Sequence, residues 1–174
     1  MTAGTLNIGP TPIETQRRRV PDAWTDYNGH MNEARYLQVF SDASDRFLEI
    51  IGVDAAYVAA GGSYFTVESH LRHLGEVHAG TEIRVDTLCL AGEGKKMHLF
   101  HQMYAGKRLL ATGEHMLIHV GLASRRACLP APHVLARLSS IAAAHARLPR
   151  PPGVGRAVGQ AQQAASAAPP RPED

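Results

Sequence analysis

The stretch YLQVFSDASDRFLEIIG, residues 36–52, decides the architecture. Tyr36, Phe40, Ala43, Phe47, Ile50 and Ile51 recur at spacings of four, three, four, three and one. Gln38, Asp42, Asp45 and Glu49 fall between them. That period lays the apolar side chains along one face of a helix of about four turns. Leu37, Val39 and Leu48 widen the face, so the helix is read as well buried. Gly52 can adopt the left-handed conformation that ends a helix. Asp54 is placed to cap a short second helix through Ala60, which Gly61-Gly62 breaks.

Working outward from this helix, Ile13 to Val20 (IETQRRRV) reads as a first strand, and Pro21 opens a loop rich in Asp, Asn and Gly that closes near Asn32. Four strands are expected after the helices. In Ser63 to Arg72, Phe65, Val67 and Leu71 alternate with Tyr64, Thr66, Glu68, His70 and Arg72. Thr81 to Leu90 places Ile83, Val85, Thr87 and Cys89 on one face. Met97–Tyr104 and Leu109–Val120 complete the set, with Gly92-Glu-Gly94 and Gly106-Lys107 as hairpin turns. Pro132 to about Leu148 reads as a C-terminal helix. The order is a strand, one long apolar helix and a run of antiparallel strands. It implies an α+β domain in which a curved sheet wraps the helix. The uncovered face and the edges of such a sheet favour a homodimer, or a dimer of dimers.

The domain is expected over residues 13–150. Residues 1–12 are Gly/Thr/Pro-rich and read as a flexible N-terminus; 151–174, rich in Pro and Ala, read as a disordered tail. A formal net charge of +2 over 174 residues creates no strong field for nucleic acid or an anionic membrane. No apolar run approaches the ~18 residues of a membrane span. The two cysteines, Cys89 and Cys128, form no Cys-x-x-Cys pair, and the first residues lack a signal-peptide pattern. These features point to a cytoplasmic protein with free thiols.

The chemistry is concentrated in Trp24-Thr-Asp26-Tyr27-Asn-Gly29-His30-Met31-Asn32. It offers a carboxylate, a glycine that lets backbone approach a ligand, and the entrance to the buried helix. Free N–H groups at a helix start can polarise a carbonyl oxygen. A carboxylate beside them can attack an acyl carbon or deprotonate water. The amides of Gly29, His30, Met31 and Asn32 are the oxyanion candidates. Taken alone, the same residues read more readily as a simple helix-capping loop. The ten histidines do not assemble a metal site: His70 and His73, like His98 and His101, have opposite strand parity, and no His-Glu-x-x-His occurs. A Gly-x-Ser-x-Gly elbow is also absent.

The pattern Asp26-x-x-Gly29-His30-x-Asn32, followed by Arg35-Tyr36 and the long apolar helix, resembles the 4-hydroxybenzoyl-CoA thioesterase branch of the hotdog superfamily. That resemblance spans roughly residues 17–120. It implies a hotdog fold, an acyl-CoA substrate, no cofactor beyond the CoA of the substrate, and Asp26 as the catalytic carboxylate. The segment from Thr25 through Glu76, then KKMHLFHQMY (95–104) and IAAAHARLPRPPGVGRAVG (141–159), is similar to the betainyl-CoA thioesterases. Those occur alone or as the C-terminal domain of bacterial L-carnitine dehydrogenases. This closer resemblance implies hydrolysis of betainyl-CoA to glycine betaine and CoA in carnitine breakdown. A quaternary ammonium group binds aromatic faces, so Trp24 and Tyr27, flanking Asp26, are the expected contacts. Tyr64, with Glu68 on its strand face, is a further candidate. Lys95-Lys96 and Arg125-Arg126 are candidates for the CoA phosphates.

Overall fold

The computed structural model describes residues 9–160. β1 (Ile13–Arg19) leads through a single 3-10 turn (Asp22–Trp24) and the Asp26 loop into α1 (Glu33–Ile51) and the short α2 (Ala55–Ala59). Then follow β2 (Gly62–His73), β3 (Glu82–Glu93), β4 (Lys96–Ala105), β5 (Arg108–Gly121), the two-residue β6 (Arg126–Ala127) and α3 (Pro132–His145). The sheet order is β1-β3-β4-β5-β2, with β6 on β5, and every pairing is antiparallel. The β3–β4–β5 meander was expected. The β2–β3 connection crosses the sheet and leaves β1 and β2 as its edges.

α1 begins three residues before the apolar period does. Asn32 accepts the Ala34 N–H on its side-chain oxygen, which starts the helix at Glu33. Gly52 ends it at φ 96°, as its position required. The buried face carries Tyr36, Val39, Phe40, Ala43, Phe47, Leu48 and Ile51. Its first half packs with Met31, Val77, Ile83, Val85, Met103 and Leu110. Its second half packs with Cys89, Met97, Leu99, Leu117 and, from α3, Val134, Leu138 and Ile141. The curled sheet therefore closes around α1, the hotdog layout, and α3 covers the β3 side. Gly92 lies inside β3 rather than in the hairpin turn, and a Cβ there would stand 2.6 Å from Leu138 Cγ. The turn itself is Gly94-Lys95.

β2 departs from simple alternation. Thr66 pairs Leu117 and Glu68 pairs Met116, so Val67 is an extra residue on β2. The bulge reverses the parity. Tyr64 is buried in the second core cluster, whereas Glu68, His70 and Arg72 lie on the outer face opposite Met116, Glu114 and Thr112. Tyr64 and Glu68 thus do not share a face, contrary to the sequence reading.

Pro151 to Gln160, expected as the start of a disordered tail, makes turns and lies on that outer face, where Glu114 accepts the Gly155 N–H at 2.8 Å. Residues 1–8 and 161–174, the rest of the two terminal expectations, lie outside the described residues. Among the described residues no helix is long and apolar enough to cross a membrane.

Candidate active site

The loop between the 3-10 turn and α1 folds back on itself. The Asp26 N–H donates to the His30 carbonyl at 2.9 Å, the Asn32 N–H to the Trp24 carbonyl at 2.9 Å, and the Gly29 N–H to the Asp26 carbonyl at 3.0 Å. Gly29 sits at φ 76°, a conformation other residues resist. Asp26 Oδ1 accepts the Asn28 N–H at 2.8 Å. Oδ2 has no hydrogen-bond donor among the described residues. The connector between β2 and β3 straps the loop from the other side. The Met31 N–H donates to the Val77 carbonyl at 2.8 Å, and His78 Nδ1 lies 3.0 Å from the Gly29 carbonyl.

These two segments face each other across a cleft of about 620 Å³. The loop and α1 contribute Asp26, Asn28, His30, Met31, Glu33 and Tyr36; the end of β2 and the connector contribute His73, Leu74, Gly75 and Glu76; Arg108 comes from β5. The Arg108 guanidinium donates to the Glu76 carbonyl at 2.6 Å, which orients the side chain and holds the connector. His30 Nε2 stands 3.4 Å from the Glu76 carboxylate. Tyr36 is buried; its hydroxyl donates to the Gly75 carbonyl at 3.2 Å, and burial raises its pKa above the ordinary phenol value.

The oxyanion candidates divide sharply. The amides of Gly29, Met31 and Asn32 are all spent on carbonyls of the loop and connector. Among the described residues, the His30 and Glu33 amides have no such acceptor. Glu33 is the first residue of α1, and its N–H is the one the Asn32 cap leaves unused. Sequence reasoning stopped its oxyanion candidates at Asn32, one residue short. The capping residue Asn32 was the available signal.

The other expected contacts separate. The Trp24 ring has the Arg18 guanidinium carbon at 5.5 Å and that of Arg35 at 5.6 Å from its centre, and it packs on the first core cluster outside the cleft lining. Tyr27 is 97% exposed. Tyr64 lies under the far half of α1, and Glu68 lines a separate outer-face cleft with His98, Glu114 and Arg156. Lys95 and Arg125–Arg126 do converge, with Lys95 Nζ donating to the Ala127 carbonyl at 3.1 Å, but at the end of β5 opposite Arg108. Missed altogether were Glu76, His78 and Arg108, whose approach depends on the β2–β3 crossover.

A family model described as the thioesterase-like superfamily matches residues 20–138. The chain belongs to the thioesterase-like superfamily. It is 58% identical over 147 residues to an L-carnitine dehydrogenase/betainyl-CoA thioesterase of Ruegeria pomeroyi, covering 84% of this chain and 30% of that protein. The chain thus spans less than a third of that relative. It is 41% identical over 150 residues to the betainyl-CoA thioesterase of Pseudomonas aeruginosa, covering 84% of this chain and 94% of that one. A structure proposed as a thioesterase from Pseudomonas putida KT2440 superposes with TM-score 0.75 at 31% identity, covering 86% of this chain and 97% of that one. The Staphylococcus aureus protein SAV2348, solved in complex with CoA, superposes with TM-score 0.80 at 21% identity and coverages of 87% and 98%. That last likeness bears on the fold alone.

Proposed function

We propose that this superfamily member hydrolyses an acyl-CoA thioester, with betainyl-CoA as the substrate and glycine betaine and CoA as products of carnitine breakdown. The observation that carries the reading is that Asp26, His30 and Glu33 line one cleft, the last two with amides that no carbonyl of the described residues accepts. The thioester carbonyl oxygen accepts from those amides. Asp26 then either attacks the carbonyl carbon, giving an acyl-enzyme anhydride that water cleaves, or takes a proton from an attacking water. In the first route the CoA thiolate departs as the anhydride forms, before water cleaves it; in the second it departs as the tetrahedral adduct of water collapses. The identity to the named betainyl-CoA thioesterases supports the choice of acyl group.

The trimethylammonium head of that acyl group lies one carbon from the reacting carbonyl. Trp24 is already covered by two guanidinium groups, so we assign the contact to carboxylates instead. Glu33 and Glu76 join Asp26 on the cleft wall, three carboxylates against the one guanidinium of Arg108. Such a lining favours a cation over a neutral group of the same shape.

We further propose a homodimer formed along β2. Its free edge carries Phe65, 46% exposed, and Val67, 57% exposed. A twofold pairing of this edge runs the strands antiparallel. It carries the Lys95–Arg126 end of one copy towards the Asp26 end of the other, where CoA phosphates would meet it. The free thiols of Cys89 and Cys128 suit a reducing cytoplasm.

The test is thiol release from betainyl-, acetyl-, butyryl- and 3,3-dimethylbutyryl-CoA, the last being the neutral isostere of the first. Preference for betainyl-CoA over its isostere is expected. Equal rates would defeat the cation assignment, and no release from any of the four would defeat the thioesterase reading. Asp26→Asn should lose at least ~10²-fold in turnover, the scale of a missing general base.

A further inference from the structure

The thioesterase reading leaves a question about aim. His30 contributes one of the two unused amides, yet it sits in a loop whose glycine neighbour is free to rotate. Two things hold that peptide against the connector: the antiparallel bridge between the His30 and His78 backbones, and the His78 side chain, which alone reaches the Gly29 carbonyl with a ring N–H. His78 Nδ1 lies 3.0 Å from that carbonyl. A carbonyl can only accept, so Nδ1 carries the proton. The Gly29 carbonyl and the His30 N–H belong to one planar trans peptide and point in opposite directions. Holding the carbonyl towards the connector therefore turns the His30 N–H away from it. The His30 carbonyl, on the next peptide, accepts from the Asp26 N–H at 2.9 Å. The two flanking bonds leave the intervening residue little freedom.

His78 is itself well anchored. The Leu74 and Gly75 amides both donate to the Leu110 carbonyl, at 2.8 and 3.0 Å, and Arg108 holds the Glu76 carbonyl. The Gly80 N–H donates to the Val20 carbonyl at 2.8 Å. The His30 and His78 rings lie with centroids 4.7 Å apart. The connector thus presents the His78 ring from a framework tied to β1 and β5 as well as to the catalytic loop.

We propose that His78 is a positioning residue. Through the Gly29 carbonyl it orients the His30 amide as the second oxyanion donor, beside the Glu33 amide at the start of α1. This rests on the thioesterase reading above. It adds a residue outside the Asp26 loop on which the rate of the chemical step depends.

His78→Phe removes the donor and keeps a ring against His30. His78→Asn keeps an N–H near the position of Nδ1. Steady-state kinetics with the preferred acyl-CoA, together with thermal unfolding, separate the possibilities. His78→Phe should lower kcat by at least about tenfold, below the loss of a whole oxyanion donor. KM should stay within about twofold, since ground-state binding is unchanged. His78→Asn should restore most of kcat, with unfolding temperatures close to wild type in both. Wild-type kcat in His78→Phe, with Asp26→Asn inactive in the same assay, would overturn the proposal alone. So would failure of His78→Asn to restore kcat while remaining folded. Full turnover in Asp26→Asn would remove the thioesterase reading and this proposal with it.

Discussion

The Arg35 guanidinium carbon stands 5.6 Å from the centre of the Trp24 ring, on which the Arg18 guanidinium also rests. The tryptophan flanking Asp26 is therefore a seat for the protein's own cations. Arg18 is tied further, through a 2.8 Å ion pair with Asp42 of α1. Together these contacts fasten β1 to the first half of α1. Trp24→Phe should accordingly weaken the fold while leaving the ratio of kcat/KM for betainyl-CoA over 3,3-dimethylbutyryl-CoA within about twofold. Glu76→Gln should lower that ratio several-fold, because it removes a charge at the cleft and little packing. Loss of the preference in Trp24→Phe, with Glu76→Gln unchanged, would return the cation to the tryptophan.

A second relationship concerns the interior. Thr15 and Thr87 hydroxyls lie 2.7 Å apart, Thr87 Oγ1 is 2.8 Å from His101 Nδ1, and His101 Nε2 is 3.0 Å from Ser44 Oγ. His115 stands beside His101 with ring centroids 5.0 Å apart, and its Nε2 has no partner among the described residues. Burial depresses both rings, His101 well below the ordinary value of 6.5 and His115 to about 4. His119 and His145 are lowered for the same reason.

The sign follows from the unfolded chain, which protonates first. Above pH about 6.5 both states are neutral at these positions, and their contribution to stability is complete. As pH falls towards 4 the unfolded state gains protons that the folded His115 refuses, and stability declines by up to ~3 kcal/mol for that group. Below about 4 the loss levels off. The unfolding temperature should therefore drop between pH 6.5 and 4.5, above the range in which most carboxylates titrate, and His115→Phe should flatten the slope. A temperature constant across that interval would contradict the account.

Gly113 sets the spacing of the same region. A Cβ there would stand 2.7 Å from Phe40 Cδ2 and 3.0 Å from His115 Nε2. Phe40 is wholly buried and stacks on His101 with centroids 5.6 Å apart, so it has nowhere to retreat. Gly113→Ala should destabilise by about 1–3 kcal/mol, the usual cost of overpacking. Thermal melts read this directly, and an unchanged melt would mean that the α1–β5 contact yields easily.

What the sequence revealed, and what it withheld, divides along physical lines. The α1 face was legible because its burial follows a local period, and Gly52 marked its end by conformational need. The hotdog wrapping followed from one apolar helix before a run of strands. The Val67 bulge was illegible, since one extra residue in β2 leaves no compositional trace yet reverses the parity relating Tyr64 to Glu68. The surroundings of Trp24 were illegible because its partners, Arg18 and Arg35, meet it only in three dimensions. The Glu33 amide was within reach, as Asn32 is a strong capping residue. Glu76, His78 and Arg108 were not, because they reach Asp26 only when β2 crosses the sheet to β3.

The free edge of β2 yields the remaining prediction. An exposed strand with unpaired backbone groups and apolar side chains invites pairing with a second copy. Phe65 and Val67 are the apolar residues on it that solvent reaches most. Wild-type protein should have twice the 18.8 kDa chain mass by light scattering. Replacing Phe65 and Val67 together by Lys should give a monomer, since lysines on an edge repel their twofold mates and blunt strand pairing. Turnover should fall with dimerisation, because the proposed CoA phosphate contacts come from the other copy. The unfolding transition should survive, as neither side chain belongs to a core cluster. A monomeric wild-type protein with full activity would refute the β2 interface, and a fully active monomeric variant would show that each cleft is complete in one chain.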